Sequence, residues 1–173
     1  MNPISGTVSK AGIPRLIDST LDKELFEYEI KLTERAGHAS QLATEAKEQH
    51  ADIVVAVGGD GTVNEVARSL VHSDTALGIL PCGSGNGLAR HLLLPMNLKK
   101  SIEIINACEI HDLDYGVIND HPFFCTCGMG FDAFVSMKFA ESGKRGPISY
   151  AENILKEGLK YKPETYTLED ETG

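Results

Sequence analysis

VAVGGDGTVNEVARSL, residues 55–70, runs from an apolar stretch through three glycines and an aspartate into a helix-like pattern. Its start belongs to IVVAV (53–57), a short continuous apolar run of the kind found in strands buried on both faces. Gly58, Gly59 and Gly61 let the backbone approach a ligand closely and turn without steric cost. A helix starting there aims its unsatisfied N–H groups at the same spot, which suits an anion. Thr62 and Glu65 stand at the spacing of a capping box. A plain strand-to-helix turn needs a glycine, but hardly three around an acid. The stretch lacks the last glycine of a G-x-G-x-x-G dinucleotide fingerprint, and it has no Gly-Lys-Ser/Thr of a Walker loop. Nucleotide binding fits it better than scaffolding.

A second loop, PCGSGNG (81–87), again follows a short apolar run, ALGIL (76–80), and again precedes a helical segment, 88–93. Two glycine-rich turns after separate parallel strands meet at the carboxyl edge of the sheet, where open α/β folds place ligands. Ser84 and Asn86 offer a hydroxyl and an amide for phosphate oxygens, or equally a cap for the helix beginning at Leu88.

Outward from these loops the chain alternates. MNPISG at the start reads as a loop, residues 11–22 as a helix, FEYEIKL (26–32) as an alternating strand, and 37–49 as a helix. Residues 98–107 read as another helix. This alternation predicts a doubly wound α/β layer. After Cys108 the rhythm changes. EIHDLDYGVI and HPFFCTCG predict two antiparallel strands around an Asn119-Asp120 turn, followed by helices over 131–142 and 148–161 and a strand in ETYTLED. The boundary at Cys108 divides the chain into an α/β nucleotide-binding domain, 1–108, and the start of a mostly β second domain, 109–173, which is expected to be incomplete as given.

The 173 residues are 42% hydrophobic with a net charge of −9, which argues against nucleic acid as a partner. No apolar run approaches the roughly eighteen residues that cross a bilayer. No signal peptide is visible, so a cytoplasmic location is expected. Cys82, Cys108, Cys125 and Cys127 lack the spacing of a redox or zinc motif and read as buried reduced thiols. Residues 136–163 are locally basic; they read as a solvated helix face or as a weak contact with a membrane surface.

NPISG (2–6), LTERAGHASQLA (32–43), GGDGTVNEV (58–66) and LPCGSGNGLAR (80–90) occur in the order seen in the diacylglycerol kinase catalytic-domain family, which includes bacterial lipid kinases and sphingosine kinases. The resemblance continues through Asp114 in DYGVIN, GFDA (130–133) and KRGPISY (144–150), and so covers most of the chain. The first loop is shared with NAD kinases and phosphofructokinase-like folds; PCGSGNGLAR is the more specific motif. The resemblance implies an ATP-dependent lipid kinase acting on a hydroxyl of diacylglycerol or a long-chain base, with Mg²⁺ between the carboxylates and the triphosphate. It implies ATP contacts from Asn2, Pro3, Ile4, Ser5, Gly6, Thr33, Gly58, Gly59, Asp60, Gly61, Thr62, Val63, Asn64 and Ser84. Asp60 would stand beside the transferring phosphate, and Asp114 would enter from the second domain. Metal ligands and a general base are expected in a distal region absent from this chain, and a strand before NPISG is expected but missing.

Gly87 stands where many bacterial members have Asp, which leans the lipid choice toward the sphingosine-kinase branch. The lipid substrate implies peripheral contact with a membrane, with the basic segment 138–162 as its candidate. Two other readings stay open: an NAD kinase-like enzyme, which leaves PCGSGNGLAR unexplained, and a nucleotide-binding module without catalysis.

Overall fold

The computed structural model describes residues 1–3, 11–141 and 161–170. The chain divides into two compact units, Met1–Thr126 and Cys127–Gly173. The first is built on two parallel strands, β1 (Ile53–Gly58) and β2 (Ala76–Pro81), paired in register from Ile53↔Ala76 to Gly58↔Pro81. Helix α3 (Asp60–Leu70) makes the connection between them.

Side chains alternate across a strand, so neighbouring residues of β1 and β2 serve opposite cores. Ala56 and Ile79 join Ala39 and Ala43 of α2 (His38–Glu48) and Val63, Val66 and Leu70 of α3. Val57 and Leu80 join Ile13 of α1 (Ile13–Thr20) and Ile102 of α5 (Leu98–Asn106). Helices therefore cover both faces of the pair, as its unbroken apolar runs require. Both strands are best buried at their carboxyl ends, where the glycine loops begin. Ile102 is 1% exposed, so Ile102→Ala is expected to cost about 2–5 kcal/mol in chemical denaturation, the usual range for such a cavity.

Residues 26–32 form no strand, contrary to the alternating pattern. A strand needs a ladder, and this segment makes none; residues 27–31 and 53–57 line a common cavity of about 310 Å³. Met1 bridges the gap instead. Its ammonium donates to Lys31 O at 2.6 Å, and its carbonyl accepts from Thr33 N at 3.0 Å. Asn2 N then donates to Val57 O at 3.1 Å. At the far end of the segment, Asp18 of α1 accepts from Lys23 Nζ and Tyr28 Oη. The Lys23 bond is the main reason that the Asp18 carboxyl lies below its usual range. The stabilisation from that shift is present above the ordinary carboxylate range and is lost as pH falls below it, through the lowered value.

The hairpin after residue 108 is real but short: β3 (Gly116–Ile118) and β4 (His121–Phe123), antiparallel. Asn119 and Asp120 both hold positive φ, 46° and 64°, as a two-residue turn between twisted strands demands. This hairpin clusters with the first unit. It docks on the carboxyl half of α3, where Arg68 Nε donates to Pro122 O and Tyr115 Oη bonds His72 Nε2.

The second unit contains α6 (Phe131–Glu141). The Tyr161 ring stands edge-on to Phe131 and tilted against Phe134. ETYTLED is not a strand; no ladder partner lies among the described residues. Its Tyr166 hydroxyl donates to Glu164, which pushes the phenol up to about 12. The helix expected over 148–161 lies almost wholly outside the described residues, as does most of the basic segment 138–162.

Candidate phosphate site at two glycine loops

The first loop is the last residue of β1, Gly58, and the extended residue Gly59, after which α3 begins at Asp60. The helix thus starts two residues before Thr62, and the capping box does not form. Thr62 is buried and its Oγ1 accepts from Asn2 Nδ2 at 3.2 Å; Glu65 reaches across to α2 and accepts from Ala39 N. Val63 N already bonds Gly59 O, and the Val63 side chain lies in the core. This leaves the amides of Asp60, Gly61 and Thr62 without intrahelical acceptors at a positive helix end.

The second loop leaves β2 at Pro81, and Cys82 N still bonds Gly58 O at 2.8 Å, so the two loops begin side by side. They then touch. A Cβ on Gly83 would lie 2.5 Å from Gly59 Cα, and one on Gly85 would lie 2.7 Å from Asp60 Oδ2. At Gly87 a Cβ meets nothing closer than 3.5 Å, so packing alone does not demand glycine there.

Asp60 closes the pair. Its Oδ2 accepts from Asn86 N at 2.8 Å and its Oδ1 from Gly87 N at 2.5 Å. These amides open the short helix α4 (Gly87–His91), so one loop's carboxylate caps the other loop's helix. Asn86 serves neither of the roles expected of it. It is buried in the left-handed region, its Oδ1 accepts from Gly83 N, and its Nδ2 donates to Gly83 O. Its amide is spent folding the second loop on itself. Ser84 is exposed.

The structure gathers Asn2, Thr33, Gly58–Thr62 and the second loop around the carboxyl ends of β1 and β2. Thr33 is buried next to Met1, Asn64 is half-buried, and Pro3 is exposed. Ile4, Ser5 and Gly6 lie outside the described residues. Asp114 is exposed, just beyond the open end of the hairpin where Gly116 pairs Phe123. Cys125 leaves that same end, and its Sγ is 3.5 Å from a Cβ built on Gly87. The cysteine expectation needs correcting too. Cys82 is buried, but Cys108, Cys125 and Cys127 are exposed free thiols, each in a segment outside the helices and strands. Among the described residues, no three His, Cys, Asp or Glu converge as a metal-binding group. Neither Asp60's bonds to the second loop nor the self-closure of Asn86 was foreseen. The Asn-Gly pair, a left-handed signal, was the available hint for the second.

The family model described as the diacylglycerol kinase catalytic domain matches residues 1–118. A diacylglycerol kinase of Staphylococcus saprophyticus is 32% identical over 154 residues, 86% of this chain and 50% of its own length. A Streptococcus pneumoniae relative is 32% identical over 178 residues, all of this chain and 60% of its own. The crystal structure of a diacylglycerol kinase from Bacillus anthracis superposes with a TM-score of 0.60 at 25% identity, covering 70% of this chain and 45% of that one. The chain belongs to the diacylglycerol kinase catalytic-domain family. It spans half to three-fifths of the length of these curated relatives.

Proposed function

We propose that this chain is the nucleotide-binding part of an ATP-dependent lipid kinase, which moves the γ-phosphate onto a hydroxyl of diacylglycerol or a long-chain base. The observation that carries the reading is the joining of two glycine loops by Asp60 at the carboxyl ends of parallel strands, beside the N-terminus of α3. Backbone N–H groups at the start of α3, beside loops rich in glycine, suit a triphosphate. Phosphoryl transfer asks chiefly for such positioning and for charge neutralisation.

Within this reading Asn2, Pro3, Ile4, Ser5, Gly6, Thr33, Gly58–Asn64 and Ser84 line the ATP site. Helix packing on both faces of β1–β2 supports a doubly wound domain over 1–108, and 109–173 opens a mostly β second domain. Each Asp60 oxygen accepts one amide and keeps a further lone pair, so this carboxylate could meet a Mg²⁺ ion carried in with ATP. When bound, the ion neutralises phosphate charge. No helix among the described residues is long and apolar enough to cross a membrane, and the enzyme is read as cytoplasmic with peripheral access to its lipid.

Transfer of label from ATP to a panel of lipids in mixed micelles, with the full reading frame, tests the proposal. Transfer to none of them, or conversion of NAD to NADP instead, defeats it. The 173 residues by themselves are expected to bind Mg·ADP without turnover, and lipid phosphorylation by them refutes that part.

A further inference from the structure

Leu93 is the residue least explained by the fold. Helix α4 ends in a paired closure: Leu93 N donates to Arg90 O at 3.0 Å and Leu94 N to Ala89 O at 2.8 Å. That closure places residue 93 in the left-handed region, and Leu93 has φ 57°. Glycine is the usual occupant of this position, since a side chain is strained there. Leu94 turns inward against the core, but Leu93 is 89% exposed, with Leu92 and Met96 exposed beside it. The tip is thus unfavourable for both backbone conformation and hydration, a combination that asks for a functional reason.

Its surroundings carry one sign of charge. Arg90 and His91 precede the tip, and Lys99 and Lys100 follow it at the start of α5; all four are exposed. No Asp or Glu occurs between Asp74 and Glu103, in a chain whose net charge is −9. An apolar tip flanked along the chain by cations, on an otherwise acidic protein, complements an anionic lipid surface. The tip also stands only one five-residue helix, about 7 Å, from the amides that Asp60 holds.

We infer that Leu92 and Leu93 insert into an anionic bilayer while Arg90, Lys99 and Lys100 meet its headgroups, docking the second glycine loop at the membrane. The inference deepens the lipid-kinase reading and rests on it for the purpose of the docking.

Co-sedimentation with phosphatidylcholine vesicles, with and without phosphatidylglycerol and always without diacylglycerol, tests it. Binding is expected to the anionic vesicles and to fall as salt rises. Leu93→Gly is expected to weaken that binding at least about fivefold by removing the apolar tip. Glycine suits φ 57°, so its melting temperature should hold or rise, which separates lost docking from lost folding. Lys99→Glu with Lys100→Glu is expected to weaken binding by about fivefold or more per reversed charge. Equal binding by Leu93→Gly and the parent, or no binding by the parent, overturns the proposal. So does a vesicle-free dimer abolished by Leu93→Gly, which would make a second copy the occupant. Mg·ADP binding in lipid-free solution is expected to be unchanged in every variant. If it is absent while vesicle binding follows the pattern above, the kinase reading falls and the docking surface stands.

Discussion

Gly83→Ala is expected to disable the cradle while leaving most of the fold in place. The added methyl would sit 2.5 Å from Gly59 Cα and 2.8 Å from Asn86 Oδ1. The first obstacle is backbone, which cannot rotate away as a side-chain tip can. The two loops must separate, at about 1–3 kcal/mol for overpacking, and Asn86 loses its bonds to Gly83. Thermal unfolding should show the stability loss, and titration with Mg·ADP should show affinity falling well beyond it. Gly61→Ala is the informative contrast. A Cβ there meets nothing within 4 Å, and alanine in place of a helical glycine contributes about 0.5–1 kcal/mol. Its stability should hold or rise while nucleotide binding falls, if the amide end of α3 is where phosphate sits. Nucleotide binding unimpaired in both variants would remove the site from these loops.

In the enzyme made from the full reading frame, Asp60→Ala is expected to have the largest effect on turnover. It strips the acceptor from Asn86 N and Gly87 N together, and hydrogen bonds to a charged group are worth about 1.5–3 kcal/mol each when shielded. Asp60 is exposed, so a total near 2 kcal/mol is the sensible expectation. The catalytic loss should be greater, about a hundredfold or more, because freeing the second loop misplaces whatever it orients. Asp60→Asn separates the roles. It keeps the volume and one acceptor, but turns an NH₂ toward the other amide. A loop latch alone predicts intermediate stability with part of the activity kept; a latch that also meets the metal predicts that activity is lost as fully as in Asp60→Ala. Amide exchange at Asn86 and Gly87 reads the latch without reference to activity.

The parts legible in the amino-acid order were those written locally. Ile53–Gly58 and the run before Pro81 announced themselves as buried strands, and glycines marked where each would turn. The hairpin turn at Asn119-Asp120 was equally plain, because both residues tolerate positive φ. What failed was anything needing a distant partner. FEYEIKL has a strand's alternation, yet alternation supplies no ladder, and among the described residues Met1 and Asn2 link it to β1. Thr62 and Glu65 have a capping box's spacing, but the helix begins earlier, and both side chains answer to Asn2 and α2 instead. The spacing of Asp60 and Asn86 along the chain contains nothing that announces their bond; only the pairing of β1 with β2 brings them together.

That bond has a consequence for how the protein comes to exist. Asp60 and Gly87 are 27 residues apart, and the segment between them holds the whole α3 connection and β2. A chain that has not yet closed this parallel crossover, an inherently slow kind of contact, owns no cradle at all. Any ligand of the cradle therefore binds the native population and ignores the unfolded one. Free ligand at a hundred times its dissociation constant would deepen the native well by about 2.7 kcal/mol. On the proposed reading that ligand is a nucleotide, and its free concentration would then set part of the chain's folding stability.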